Sequence, residues 1–189
     1  MSYKILTDSA CDLPQSMLQQ LDVAVTPLHV LFRGQQMPDT VEDAAIADFY
    51  AAMKAGEVPT TSAVNPDGWA RIMEPALAAG QDLLVLGFSG GLSTTYQSAV
   101  IAAEDLREKY PQRKINVVDS LCAALGQGLL IWYACQKREE GLSLEELTAW
   151  VEETKLHICH WVTVDDLSHL KRGGRISATT AIVGTMLNI

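Results

Sequence analysis

The sequence predicts an α/β fold: a parallel sheet with helices on both faces. Three observations predict it. Strand-like and helix-like stretches alternate almost without exception along the 189 residues, as βαβ units require. Leu83 to Leu86 is a continuous apolar run, the pattern of a strand buried on both faces. Polar clusters recur just past the expected strands, at Asp8-Ser9, Ser89 to Thr95, Asp119-Ser120 and Asp165-Asp166. In such sheets, ligands bind at the carboxyl ends of the strands.

Each element has a local reason. Tyr3 to Thr7 is the first strand; Asp8, Ser9 and Asp12 form a polar turn, and Pro14 opens a short helix to Leu21. Val23 to Phe32 reads as one longer strand, with Pro27 marking an edge or a bulge. Arg33 to Asp39 reads as a loop. Thr40 caps a helix whose stripe is Val41, Ala44, Ala45, Phe49, Ala52 and Met53, and Gly56 ends it. Glu57 to Asn65 reads as a loop carrying Thr60, Thr61 and Ser62. Asn65 then caps, and Pro66 opens, a helix to Gly80 that Pro75 should kink.

The stretch from Asp82 to Ala99 organises the rest. After its buried strand, Gly87, Gly90 and Gly91 break the chain, Ser93 is the expected N-cap, and Tyr96 to Leu106 is the helix. A Gly-rich hydroxyl loop at a helix N-terminus is suited to an anion, with free backbone amides and the helix dipole directed at it. Further on come a strand over Ile115 to Val118 and a mostly apolar helix over Leu121 to Glu140. Ser143 and Glu146 form a capping box for a helix to about His157. Ile158 to Val164 reads as a further strand, and Asp165 caps a short helix through Lys171 that Gly173-Gly174 stops. Ser177 caps a last apolar helix, Ala178 to Ile189.

The net charge of −9 argues against nucleic acid and against an anionic membrane surface. No apolar run approaches the roughly 18 residues that span a bilayer, so the chain is not expected to be an integral membrane protein. It starts directly on a strand-like run rather than on a signal sequence. Cys11, Cys122, Cys135 and Cys159 are scattered and fit reduced thiols in a cytoplasmic protein. His157, Cys159 and His160 lack metal-ligand spacing, so no metal is expected.

At the expected rim the candidate residues are Ser62, Ser89, Thr94, Thr95, Asp119 and Ser120, although Asp and Ser at such turns serve most often as caps. Gly87 to Gly91 is also a literal G-x-S-x-G, which offers a serine hydrolase using Ser89 as the alternative reading. Against it, an elbow turns straight into its helix, whereas Gly90 to Thr95 intervenes here. Arg172 and Arg175 flank Gly173-Gly174 in an otherwise acidic chain and could dock an acidic partner or a phosphate.

The segments ILTDSACDLP, TTSAVNP, FSGGLSTTYQSA, NVVDSLCAALGQG and HLKRGGRIS, in this order, resemble the DegV family. These are bacterial fatty-acid-binding proteins that serve as the acyl-carrying subunit of fatty acid kinase. The resemblance implies a long-chain fatty acid whose carboxylate is held by the hydroxyls of Thr61 and Ser93. It also implies a separate kinase subunit as partner, for which Arg172 and Arg175 are the docking candidates, with no catalytic residue and no cofactor in this chain. The chain departs from the family's T-S-Q-P at Ala63-Val64, and from its L-S-G-T at Thr94, where it reads Leu92-Ser93-Thr94-Thr95. Family members also continue for roughly another domain's length. On that comparison residues 1–164 are the first domain, and 165–189 are a linker and the first helix of a second domain that stops short.

Overall fold

The computed structural model describes residues 3–39, 43–164 and 167–177. They fall into two compact units, Met1–Cys159 and His160–Ile189. The first half of the first unit contains β1 (Tyr3–Asp8), α1 (Gln15–Gln20), β2 (Val23–Thr26), β3 (His29–Phe32), β4 (Gln35–Pro38), α2 (Asp43–Lys54) and β5 (Thr60–Ser62). It continues with α3 (Pro66–Ala78), β6 (Asp82–Gly87), α4 (Thr95–Lys109), β7 (Ile115–Asp119), α5 (Leu125–Glu139) and α6 (Leu144–Thr154). The described part of the second unit contains α7 (Leu167–Arg172).

The expected parallel sheet is present, with strand order β2-β1-β6-β7 and every pair parallel. Its central strands alternate between two apolar layers rather than between core and water. Leu84 and Leu86 join Ile5 and Val118 in a layer with Leu18 of α1, Leu130, Ile131 and Ala134 of α5, and Leu147 and Val151 of α6. Leu83 and Val85 join Leu6 and Ile115 in the opposite layer, against Trp69, Met73 and Leu77 of α3 and Ala99, Ala102 and Ala103 of α4. Covered faces explain why β6 has no polar alternation. The helix ends follow local rules: Asn65 accepts from the Gly68 amide at 2.8 Å, and Ser143 with Glu146 makes the full capping box.

Several expectations are corrected. Val23 to Phe32 is two strands, not one. Proline has no N–H for a ladder, and at Pro27 the chain leaves the parallel sheet; Ser9 Oγ accepts from the Leu28 amide at 2.9 Å. Beyond it, β3 is the centre of a small antiparallel sheet ordered β4-β3-β5. Thus Arg33 to Asp39 is not simply a loop: Arg33 and Gly34, both at positive φ, turn the chain into β4 as a type I′ hairpin does. Likewise the stretch around Thr61 contains β5, paired to β3 with Val30 opposite Thr61 and His29 opposite Ser62.

Ile158 to Val164 is not a strand: α6 runs into a 3-10 turn at Lys155–His157, and the residues after it have no regular structure. Strand propensity makes a strand only where a partner completes the ladder, and no described strand pairs with this stretch. The helix expected from Leu121 begins only at Leu125, because Leu121 and Ala124 hold positive φ. The cap calls on Thr40 and Asp165 and the helix from Ala178 to Ile189 lie outside the described residues.

Candidate functional site

At the carboxyl ends of β1, β6 and β7, three connections meet. The β6–α4 loop folds tightly around Ser89. Its carbonyl accepts from the amides of Leu92 (3.0 Å) and Ser93 (3.1 Å), and its Oγ accepts from the Gly91 amide at 3.3 Å. The Ser89 amide itself donates to Cys122 O at 3.1 Å, joining this loop to the β7–α5 connection.

Ser93 is not the N-cap. Helix α4 starts at Thr95, Thr94 occupies the cap position without a side-chain bond, and Ser93 Oγ accepts from the Thr95 amide at 3.2 Å. The hydroxyls of Ser93 and Thr95 are hydrogen-bonded to each other at 2.8 Å, and either can be the donor. Thr95 Oγ1 also accepts from the Val64 amide at 3.3 Å, and Trp69 Nε1 donates to Thr95 O at 3.0 Å. The Thr61 strand and the Ser93 turn are therefore tied together three residues after one and two after the other.

The rim hydroxyls sort into two kinds. Thr61, Ser62 and Thr94 are exposed, and Ser93 is half-buried. Ser89, Thr95 and Ser120 are buried and brace the frame; Ser120 Oγ, for example, accepts from the Cys122 amide at 3.2 Å. Three leucines are exposed beside them: Leu92 at 39%, Leu121 at 47% and Leu125 at 61%.

The expectation of free amides in the Gly-rich loop is corrected. Both carboxylate oxygens of Asp119 accept from the Gly90 amide at 3.1 Å, and Oδ1 also accepts from Leu121 at 3.0 Å. On the other side, Asp8 Oδ2 accepts from the Phe88 amide at 2.8 Å. The protein's own acids occupy these donors, although Gly90 and Leu121 are exposed and Phe88 is half-buried.

Gln127 is not among the candidates read from the sequence, and Asp8 figures there only within the Asp8-Ser9 cluster after the first strand, with no role assigned. Both are fully buried. Gln127 Nε2 donates to Thr7 Oγ1 (3.0 Å) and Asp8 Oδ1 (3.3 Å), while its Oε1 has no partner among the described residues. Burial pushes the Asp8 carboxyl up to about 6, against the opposing pull of the Phe88, Gln127 and Ala10 hydrogen bonds. The available signal was a glutamine between two glycines in an otherwise apolar helix, Gly126-Gln127-Gly128.

The hydrolase constellation is not assembled. Ser89 Oγ accepts a hydrogen bond from the Gly91 amide, and no histidine hydrogen-bonds it among the described residues. Asp119 is engaged by backbone amides. Nor, among the described residues, is there a group of three or more His, Cys, Asp or Glu side chains that could hold a metal, or a helix long and apolar enough to cross a membrane.

In the second unit, α7 ends in a Schellman motif. The Arg175 amide donates to Leu170 O (2.9 Å) and the Gly174 amide to Lys171 O (3.0 Å). Gly174 supplies the φ of +75° this needs. Arg172 and Arg175 are both exposed there, and Arg175 Nη1 donates to Gly173 O at 2.6 Å.

Comparison with known proteins gives one consistent result. A family model described as "Uncharacterised protein, DegV family" matches residues 2–189. A DegV domain-containing protein of Clostridium perfringens is 44% identical over 188 residues, covering 99% of this chain and 65% of that protein. A DegV family protein from Thermus thermophilus, whose structure is described as one of fatty acid binding, superposes with a TM-score of 0.85 at 38% identity, over 100% of this chain and 65% of that one. The Streptococcus pneumoniae Fatty Acid Kinase (Fak) B3 protein loaded with linoleic acid superposes with a TM-score of 0.78 at 25% identity, over 98% and 64%. The chain thus spans about two thirds of the length of these relatives.

Proposed function

This chain belongs to the DegV family, and from that premise we propose that it binds a long-chain fatty acid by its carboxylate and presents it, in the cytoplasm, to a fatty acid kinase subunit. The observation that carries the reading is the tie between Val64 and Thr95, which draws Thr61 and Ser93 toward one rim beside exposed leucines. Hydroxyls next to apolar surface suit an amphiphile with a single anionic head. In this reading Thr95 Oγ1, which accepts from Val64, donates its hydrogen bond to Ser93 Oγ. Ser93 then accepts from both the hydroxyl and the amide of Thr95, and its own proton is left for the ligand.

Neutral donors hold a carboxylate without a permanent counter-charge. That favours a carrier whose ligand must later offer a carboxylate oxygen as nucleophile to a phosphoryl donor. The relatives' descriptions support both parts unequally: those of the Thermus and Streptococcus proteins both name a fatty acid, and that of the Streptococcus protein also names the kinase. No cofactor is needed in this chain for either role.

Ser93→Ala and Thr61→Ala each remove one hydrogen bond to a charged group, worth about 1.5–3 kcal/mol. Palmitate affinity of the intact protein, measured by titration calorimetry, should fall roughly ten- to a hundredfold in each. Unchanged affinity in Ser93→Ala, in a protein that binds palmitate, rejects the anchor assignment. The exposed Arg172 and Arg175 serve the kinase in this reading. Arg175→Ala should therefore lower acyl-phosphate formation with the kinase and leave palmitate affinity as it was; equal loss of both would count against docking.

A further inference from the structure

We propose that Asp8 and Asp119 are positioning residues for the Ser93 anchor, clamping the loop from Gly87 to Ser93 from the ends of β1 and β7. The proposal rests on the reading that Ser93 holds the ligand carboxylate. Strand β6, which feeds the loop, lies between β1 and β7 in the sheet. The two acids therefore reach the loop from opposite sides. Asp8 takes the amide of Phe88, and Asp119 takes the amide of Gly90 with both oxygens. The rest of the loop then closes on Ser89 and delivers Ser93 to the Thr95 hydroxyl.

The clamp is itself braced. Gln127 holds Asp8 Oδ1 from α5, and the Ala10 amide holds the same oxygen at 3.1 Å. Among the described residues neither acid has an ion-pair partner, so both carboxylates are engaged mainly by backbone amides. The arrangement also closes the Phe88 and Gly90 amides to an incoming anion, leaving hydroxyls as the donors it meets.

The groups around Asp8 make its protonation readable. Phe88 faces it from the β6–α4 loop, Gln127 from α5, Thr26 is its register partner on β2, and Ala10 and Cys11 lie in the following turn. Of these Cys11 alone titrates, and burial pushes its thiol up to about 11, clear of the range in which Asp8 changes.

The test combines amide exchange with a mutant cycle on the intact protein at pH 7.5. Asp119→Ala should speed hydrogen exchange of the Gly90 amide, and Asp8→Asn that of Phe88, at least tenfold. Each should weaken palmitate binding about tenfold. Adding Ser93→Ala to either should weaken it little further, because the anchor is already displaced. Full additivity with Ser93→Ala, or unchanged affinity in both single variants, overturns the clamp.

If Asp8→Asn does not fold, the parent protein suffices: its Phe88 amide, held by Asp8 Oδ2 at 2.8 Å, should exchange at least tenfold more slowly than an unbonded amide, with a chemical shift that moves as Asp8 is protonated, and exchange at the unprotected rate overturns Asp8's part. If the parent binds no palmitate, the fatty-acid reading fails, while exchange at Phe88 and Gly90 still decides whether the acids hold the loop.

Discussion

Ala124 sits at φ 51° and ψ −140°, a backbone conformation that only glycine adopts without strain. Leu121, three residues earlier, is also left-handed at φ 55°. Both lie on the β7–α5 connection, between the Asp119-Ser120 pair and the helix that carries Gln127. The connection bends twice so that the Cys122 carbonyl meets the Ser89 amide and the Ser120 hydroxyl meets the Cys122 amide. Strain of this kind costs about 1–3 kcal/mol per residue, more than the roughly 0.5–1 kcal/mol of extra chain entropy that glycine loses on folding. Ala124→Gly should therefore raise the free energy of unfolding by about 1 kcal/mol, read from urea denaturation. A destabilised variant would mean that the alanine methyl makes contacts worth more than the strain.

The elements that were legible in the sequence are those whose signal is local. Strand β6 announced itself by Leu83 to Leu86, and α6 by its capping box, because burial on two faces and a hydrogen-bonded cap each leave a mark within a few residues. Strands β4 and β5 were read as loops because Gln35, Gln36, Thr60 and Ser62 are exposed and carry no apolar alternation. Their pairing with β3 is decided by the Arg33-Gly34 turn and by distant chain. The opposite error fell on Ile158 to Val164, whose apolar character was right for a strand that has no described partner. The placement of α5 was equally hidden. A Cβ at Gly128 would come within 2.5 Å of Cys11 O, so this glycine lets α5 lie against the turn after β1 and bring Gln127 to Asp8. That is a contact across more than a hundred residues, and no reading of either segment alone contains it. At the rim, Asp119 and the Asp8-Ser9 cluster are visible in the sequence as polar residues past strand ends, but their bonds to the Gly90 and Phe88 amides follow from the sheet order; Thr61 and Ser93 are offered as anchors by the resemblance.

For the molecule as a whole, the buried charge on Asp8 opposes folding. Its folded value of about 6 lies above the ordinary 3.8, so between about pH 4 and pH 6 the folded state binds more protons than the unfolded one. Stability from this group is therefore greatest at low pH and falls as pH rises through that window. A shift of about two units corresponds to roughly 3 kcal/mol, a sizeable share of the 5–15 kcal/mol typical of a domain. The surface acids Glu57 and Glu74, both half-buried, and the exposed Glu145 and Glu146 act in the other direction. Arg33 holds the first below its usual range, Lys109 the second, Lys114 the third and Ser143 the fourth, so their help is lost as pH falls. The two effects separate in a comparison that leaves the surface unchanged. Urea unfolding of the parent and of Asp8→Asn at pH 4, 5, 6 and 7 should show the parent losing ground to the variant by up to about 3 kcal/mol as pH rises. A constant difference across that range would mean that Asp8 is as well solvated in the fold as out of it. The clamp would then carry no penalty for the loop it holds.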